Sequence, residues 1–293
     1  MKILLLGGSG MLGSDCKLVL EKDHELVAPS SKELDIVRWD AVIDMLDKLS
    51  PDVVINCAAF TDVDACEADE PWMRKVNVEG PRNLAQGCAR FHAKFVHISS
   101  DYVFDGKKAM PQPYFEDDPP RPLSVYGRYK VESEVAVRDN SPNYIIVRTG
   151  WLYGLNGKNF VKSIIAQAVK KETKKLQVVN DQYGSPTWTY RLAFQIKKLI
   201  ENDGTGTYHV TAEGYCTPFE WAEETIEKLK LKVKLEPTSI SHLQRPAKRP
   251  VNCVLENRNL KEQGLNIMKF WKDDLHMFLE NYGPELIKEE KEK

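Results

Sequence analysis

The stretch that most constrains this chain is its beginning. Lys2-Ile3-Leu4-Leu5-Leu6 reads as a short buried strand and runs directly into Gly7-Gly8-Ser9-Gly10-Met11-Leu12-Gly13. Residues 14–22 then carry apolar side chains at helical spacing, at Cys16, Val19 and Leu20. Strand, glycine turn and helix in immediate succession form a phosphate-binding arrangement. The glycines let the backbone approach a pyrophosphate, whose charge meets the N-H groups and positive end of the helix. The glycines can be spaced as Gly8-x-Gly10-x-x-Gly13 or as Gly7-x-x-Gly10-x-x-Gly13. Both spacings predict a dinucleotide site.

A second strand, Glu25-Leu26-Val27-Ala28, lacks the terminal acid that would bind an NAD ribose, and Pro29-Ser30-Ser31-Lys32 follows it. Hydroxyls and a cation suit a 2'-phosphate, which modestly favours NADPH and leaves NADH open; an ordinary polar loop explains the same residues almost as well. Strand-like and helix-like segments then alternate. Helices are expected at Trp39 to Leu49, Trp72 to Phe91 (interrupted at Gly80-Pro81) and Tyr126 to Arg138. Strands are expected at Asp52 to Asn56, Lys94 to Ile98 and Tyr144 to Arg148. This alternation predicts an α/β fold, a Rossmann-like doubly wound parallel sheet, with Gly7, Ala58, Ser100 and Arg148 at the carboxyl ends of strands where ligands bind.

Beyond Trp151 the rhythm weakens, with helices expected over Asn159 to Lys171, Trp188 to Glu201 and Pro218 to Leu229 and a short strand over Gly206 to Val210. The expected division is a dinucleotide-binding domain over 1–150 and a mainly substrate-binding smaller α/β lobe over 151–284, with room for the chain to cross back to the sheet. A Lys- and Glu-rich tail over 285–293 is expected to fray.

Ser100 ends the apolar run Phe95-Val96-His97-Ile98, and Tyr126-Gly127-Arg128-Tyr129-Lys130 follows later. A Tyr and a Lys four apart share a helix face, so the ammonium is expected to lower the phenol's pKa from about 10 toward the working range of an acid catalyst. The phenol would then protonate a carbonyl oxygen that the Ser100 hydroxyl orients. Tyr-x-x-x-Lys recurs by chance, so the pair gains its meaning from the phosphate turn at the other end of the chain.

Charge and cysteine content narrow the classes further. The 41 basic and 43 acidic residues leave a net charge of -2 with no long basic block, which gives no argument for nucleic acid. Six cysteines without a Cys-x-x-Cys, and six histidines without metal-ligand spacing, point to reduced thiols and no metal. The apolar start is too short for a signal core or a membrane span, so a cytoplasmic protein with no membrane partner is expected.

With these residues in hand, the chain resembles the extended short-chain dehydrogenases/reductases and, more closely, the dTDP-4-dehydrorhamnose reductase family. The resemblance rests on Gly7 to Gly13, Leu34-Asp35-Ile36, Val54 to Asp64, Val76-Asn77, His97 to Gly106, Ser124 to Gly127 with Lys130, Val147 to Gly154 and Asp181 to Thr187. It implies a catalytic triad of Ser100, Tyr126 and Lys130, with Ser100 standing where most relatives have Thr. It implies a cofactor groove drawn from Gly7, Gly10, Met11, Leu12, Gly13, Ser30, Asp35, Ile36, Ala58, Ala59, Thr61 and Asn77, besides Tyr126 and Lys130. Asp101, Tyr102, Trp151, Gln182 and Arg249 are implied for the substrate, a nucleotide sugar.

Plainer roles compete at three of these segments: Trp151 as a core side chain, Arg249 as an exposed charge, and Asp181 as a residue that structures its loop. Some members of the family form homodimers bridged by magnesium. Asp15 is the one matching acidic position, so a homodimer stays open and no metal is expected. The absence of a Glu after Ser100-Asp101 argues against a 4,6-dehydratase, and Tyr102 to Gly106 argue against a 4-epimerase. The implied activity is NADPH-dependent reduction of a 4-keto-6-deoxy nucleotide sugar. The alternatives are reduction of another nucleotide sugar, or a regulatory role like that of the related beta subunit of methionine adenosyltransferase.

Overall fold

The computed structural model describes residues 1–170 and 172–292. A six-stranded sheet is built from β1 (Lys2–Leu6), β2 (Glu25–Val27), β3 (Val53–Asn56), β4 (Lys94–Ser100), β5 (Tyr144–Thr149) and β9 (Gly206–His209). The order is β2-β1-β3-β4-β5-β9 and every pairing is parallel. The central strands read as continuous apolar runs because both faces are covered. Ile3, Leu5, Ile55, Val96 and Val147 meet α1 (Met11–Leu20) and α7 (Thr189–Glu201). Leu4, Leu6, Val54, Phe95 and Ile146 meet α2 (Trp39–Leu49), α4 (Gly80–Arg90) and α5 (Val125–Asn140). Each such aliphatic side chain taken fully out of water contributes about 1.5–3 kcal/mol. The doubly wound reading holds, and the order reverses between β1 and β3, opening a crevice at their carboxyl ends.

Two local expectations are adjusted. The helix over 72–91 does not stop at Gly80-Pro81; its interruption is a π turn that ends at the pair. The chain runs from α3 (Pro71–Arg74) through a π turn (Lys75–Glu79) into α4. Pro81 cannot donate to a carbonyl one turn back, and the wider π turn absorbs that mismatch. Gly80 is required by a neighbour, because a Cβ there would lie 2.6 Å from Ile36 Cδ1. Nor does the tail fray: α10 (Trp271–Glu292) continues through Pro284 with Leu286 buried. Its apolar residues Leu275, Phe278, Leu279 and Leu286 hold one face of that helix against the aromatic cluster below.

The second layer contains α6 (Phe160–Ala168), α8 (Pro218–Leu229) and α10, with β7 (Lys175–Val179) paired to β10 (Lys234–Thr238) and β6 (Leu152–Tyr153) paired to β8 (Thr187–Trp188). Lys171, included in the expected extent of α6, lies outside the described residues. A short helix, α9 (Arg258–Glu262), packs near β9. Tyr153, Trp188, Trp221, Trp271 and Phe278 form this layer's core. Helix α8 starts as its sequence demands, with a Thr217/Glu220 capping box and Pro218 in the first turn. Between these elements the chain returns to the large sheet, because α7 covers α1 and β9 extends the sheet beside β5. Among the described residues, no helix is long and apolar enough to cross a membrane.

Candidate active site

The glycine turn is built by backbone contacts that side chains would block. Gly7 has φ +74°, and a Cβ on it would lie 2.7 Å from Ala58 N, where the loops after β1 and β3 touch. A Cβ on Gly13 would lie 2.0 Å from Gly7 O. Gly10 N–H closes the turn on Gly7 O at 2.9 Å, so Gly7-x-x-Gly10-x-x-Gly13 is the spacing the geometry requires. A Cβ on Gly8 would meet only Ala28 Cβ, at 3.2 Å, and Leu5 Cδ2 beyond it. No side chain caps α1, which leaves its leading N–H groups for an anion.

Gly10, Met11 and Leu12 line one end of a cavity of about 390 Å³, with Ala58, Ala59 and Thr61 on one wall. Ser100, Asp101, Tyr126, Lys130 and Thr149 line its inner part. Tyr102, Trp151 and Leu152 border both this cavity and a second one of about 480 Å³, which Gln182, Arg245 and Arg249 also line. The two spaces therefore meet beside the Ser-Tyr-Lys group. A nicotinamide dinucleotide fits the first: the turn supplies a cradle that a Cβ would fill, and the buried Thr149 Oγ1 at the inner end has no partner in the protein.

Ser100 ends β4 and donates to Asp101 Oδ1 at 2.9 Å, while its Oγ accepts from Tyr102 N–H at 3.2 Å. Tyr126 lies in the first turn of α5, which Ser124 caps through Gly127 N–H. Lys130, one turn on, donates to Ile98 O at 3.1 Å and stands 5.7 Å from the Tyr126 ring centroid. The expected acidification of the phenol is not found. Burial drives the Tyr126 pKa well above its ordinary value, the nearby Asp101 carboxylate adds to the rise, and a hydrogen bond with Ser100 only partly opposes it. The ammonium gives one of its three N–H donors to the strand carbonyl, and its own pKa falls to about 8 because it is buried. Burial also raises Asp101 to about 6 against the hydrogen bond from Ser100, and its Oδ2 has no hydrogen-bond partner.

Below Ser100, Tyr126 and Lys130 lies a network that periodicity did not reveal. Asn56 Oδ1 accepts from Ala58 N–H at 3.1 Å, and its amide nitrogen lies 3.4 Å from His97 Nδ1. His97 Nε2 lies 2.9 Å from Ser133 Oγ, which donates to Lys130 O at 2.8 Å. The Ser133 proton is thus committed, so the imidazole proton belongs on Nε2. Burial, with Lys130 nearby, lowers the His97 pKa and keeps the ring neutral. Deeper still, Glu134 accepts from Ser99 at 2.6 Å and from Arg148 at 2.9 and 2.8 Å. Arg148, expected at the binding edge, serves this buried pair instead.

Other expected residues are placed differently. Ser30 donates through both N–H and Oγ to Glu33 Oε2, each at 2.8 Å, and these bonds hold the Glu33 carboxyl below its usual range. A 2'-phosphate there would meet a carboxylate as well as hydroxyls. Asp35 is exposed and accepts from Val37 N–H, whereas Ile36 is in the core under α4. Asn77 exchanges two hydrogen bonds with the Phe60 backbone, at 2.9 and 3.0 Å, and so fixes the loop that carries Ala58 to Thr61.

On the second cavity, Gln182 donates to Pro250 O at 3.0 Å. Trp151 combines its two proposed roles: it lines both cavities and stacks on Trp221 with centroids 5.9 Å apart. Asp181 holds its loop by accepting from Ser239 Oγ and Ile240 N–H. Arg249 is not a free surface charge, since its guanidinium grips Asp64. No local pattern in the sequence pairs Asp64 with Arg249; only the fold brings them together.

A parallel sheet with a glycine turn at its switch point and Ser, Tyr and Lys beside it defines a dinucleotide-dependent oxidoreductase of the short-chain type. A family model described as the RmlD substrate binding domain matches residues 1–283. The chain belongs to the dTDP-4-dehydrorhamnose reductase family. It is 39% identical over 277 residues to dTDP-4-dehydrorhamnose reductase of Streptomyces griseus, covering 92% of this chain and 90% of that one. A crystal structure of a dTDP-4-dehydrorhamnose reductase from Clostridium acetobutylicum superposes with a TM-score of 0.92 at 39% identity, covering 97% of this chain and 100% of that one. A Bacillus anthracis dTDP-4-dehydrorhamnose reductase solved in complex with NADP gives a TM-score of 0.91 at 34% identity, with 96% and 99% covered.

Proposed function

We propose that this protein is an NADPH-dependent reductase that converts the 4-keto group of dTDP-4-dehydro-6-deoxy-L-mannose to the alcohol of dTDP-L-rhamnose. The observation that carries this reading is the meeting of the two cavities at the Ser100, Tyr126 and Lys130 group, with Arg249 on the wall of the second. When bound, NADPH supplies the hydride. The chain's own residues supply position and a proton. Met11, Leu12, Ala58, Ala59 and Thr61 hold the dinucleotide along the first cavity, and Trp151, Tyr102 and Gln182 orient the sugar at the junction.

Burial keeps Tyr126 protonated, which is the form an acid must have before reduction. No lowered pKa is needed for the transfer, because an alkoxide forming at C4 is a stronger base than a phenolate. Lys130 faces the Tyr126 ring and stabilises the phenolate left behind, while Ser100 orients the carbonyl oxygen by turning its one O–H from Asp101 to the substrate. Purified protein mixed with dTDP-4-keto-6-deoxy-L-lyxo-hexulose and NADPH, followed at the nicotinamide absorbance, tests the reading. Tyr126→Phe should keep NADPH affinity and lose about 10²–10⁴-fold in kcat. Wild-type protein without turnover on a panel of dTDP-4-keto sugars would refute the enzyme reading in favour of a regulatory one.

A further inference from the structure

The Arg249–Asp64 pair joins the walls of the two cavities. Arg249 Nη1 donates to Asp64 Oδ1 at 2.9 Å and Nη2 to Asp64 Oδ2 at 2.8 Å, while a further Nη1 hydrogen goes to Ala247 O at 3.0 Å. Asp64 Oδ1 also accepts from Ala247 N–H at 3.1 Å, so one carboxylate fixes both the backbone and the side chain of the 247–249 segment. A guanidinium has five N–H donors in a rigid fork. Three are accounted for on its far end; Nε–H and the second Nη2–H are taken by no carboxylate or backbone oxygen, although the Tyr102 hydroxyl also lies within hydrogen-bonding reach of the guanidinium. Those two lie on one side edge, with the spacing that matches two oxygens of a phosphate. The Arg249 side chain is 13% exposed and lines the second cavity beside Tyr102 and Gln182.

We propose that Asp64 is a positioning residue: it grips Arg249 by its far end, so that the side edge is presented to the diphosphate of the nucleotide sugar. This rests on the proposed function and adds to it a residue that need not touch the substrate. Asp64 belongs to the segment that follows Ala58, Ala59, Thr61 and Val63, so the hold on the diphosphate originates from the wall of the dinucleotide groove. The free arginine would otherwise sample many rotamers, and fixing one of them beforehand removes an ordering cost from binding.

The test is a double-mutant cycle read as dTDP affinity by calorimetry, with steady-state kinetics alongside. Asp64→Ala should weaken dTDP binding and raise the KM for the nucleotide sugar by about tenfold, with kcat changed less than about twofold and NADPH KM unchanged. Arg249→Ala should cost more, and Asp64→Ala should add nothing in the Arg249→Ala background. Asp64→Asn, which retains one acceptor oxygen, should give a partial loss, and it serves as the readable variant if Asp64→Ala does not fold. Equal dTDP affinity in the wild type and the Asp64 variants overturns the inference. So does tighter binding in Asp64→Ala, which would make the carboxylate a competitor of the phosphate, and so does full additivity with Arg249→Ala. A wild-type protein that neither binds dTDP nor turns over overturns the proposed function itself. Binding in the wild type with no effect at Asp64 overturns only the positioning role.

Discussion

The two cavities meet at Tyr102, Trp151 and Leu152 but are built by different means. The dinucleotide side is set by backbone packing. Gly7, Gly10 and Gly13 lie within one turn, and the missing Cβ atoms are what allow Gly7 to touch Ala58 and Gly13 to touch Gly7. The substrate side is assembled from side chains far apart in sequence. Trp151, Gln182 and Arg249 arrive on separate segments and are held by a ring stack on Trp221, a hydrogen bond to Pro250 O and an ion pair with Asp64. A backbone site fails abruptly when one atom is added, whereas a side-chain site degrades in steps.

The largest expected break is therefore Gly13→Ala. Its Cβ would lie 2.0 Å from Gly7 O and 2.9 Å from Gly8 Cα, and no rotamer relieves contacts with backbone. The turn must open, withdrawing the N–H groups from the pyrophosphate. NADPH affinity, read by fluorescence titration, should fall about 1,000-fold, equivalent to about 4 kcal/mol. By contrast Gly8→Ala, whose Cβ would meet only side-chain atoms of Ala28 and Leu5, should bind within about tenfold of the wild type. Equal losses in the two variants would break the distinction between the sites.

The same distinction explains what was legible in the sequence. The glycine turn, helices such as α2 and α8 and the parallel sheet are specified by local pattern, so they could be read directly. The placement of β9 beside β5 was not, because Gly206–His209 carries nothing that names its neighbour. The Glu134–Arg148 pair and the Asn56–His97–Ser133 chain were missed for the same reason: each joins residues whose proximity only the fold creates. The tail misled because its Lys and Glu content masked Leu286 at helical spacing from Leu279. The supposed acidification of Tyr126 failed on energetics. Spacing placed Lys130 near the ring, but spacing carries no information on burial, which raises the phenol's pKa and lowers the ammonium's.

Asp101, at the seam between the cavities, gives the next effect in size. Its side chain is buried and its pKa rises from 3.8 to about 6 because burial penalises the carboxylate. The folded state therefore binds the proton more tightly than the unfolded state does. That contribution is fully present below about pH 4 and is lost as pH rises through 6. It reaches about 3 kcal/mol. Asp101→Asn has no charge to bury, so its urea-unfolding stability relative to wild type should improve between those two pH values and then level off. A difference that stays flat across that interval would mean the Asp101 carboxyl is solvated, and that the seam is wetter than the packing implies.

The smallest expected effect sharpens the comparison at a place where the dinucleotide side would depend on an exposed side chain. Glu33 accepts two hydrogen bonds from Ser30, and its charge stands where a 2'-phosphate would approach the loop after β2. Glu33→Gln removes the charge but keeps an oxygen that Ser30 can donate to. Because the carboxylate is fully exposed, solvent screens most of its repulsion. The ratio of kcat/KM for NADPH over NADH should therefore rise only about threefold, mainly through a lower NADPH KM that reverts toward wild type at high salt. An unchanged ratio would place the 2'-phosphate away from Ser30. A salt-independent rise would mean that the introduced amide acts by a direct hydrogen bond rather than through the lost charge, and the β2 loop would then be a side-chain site like the substrate cavity.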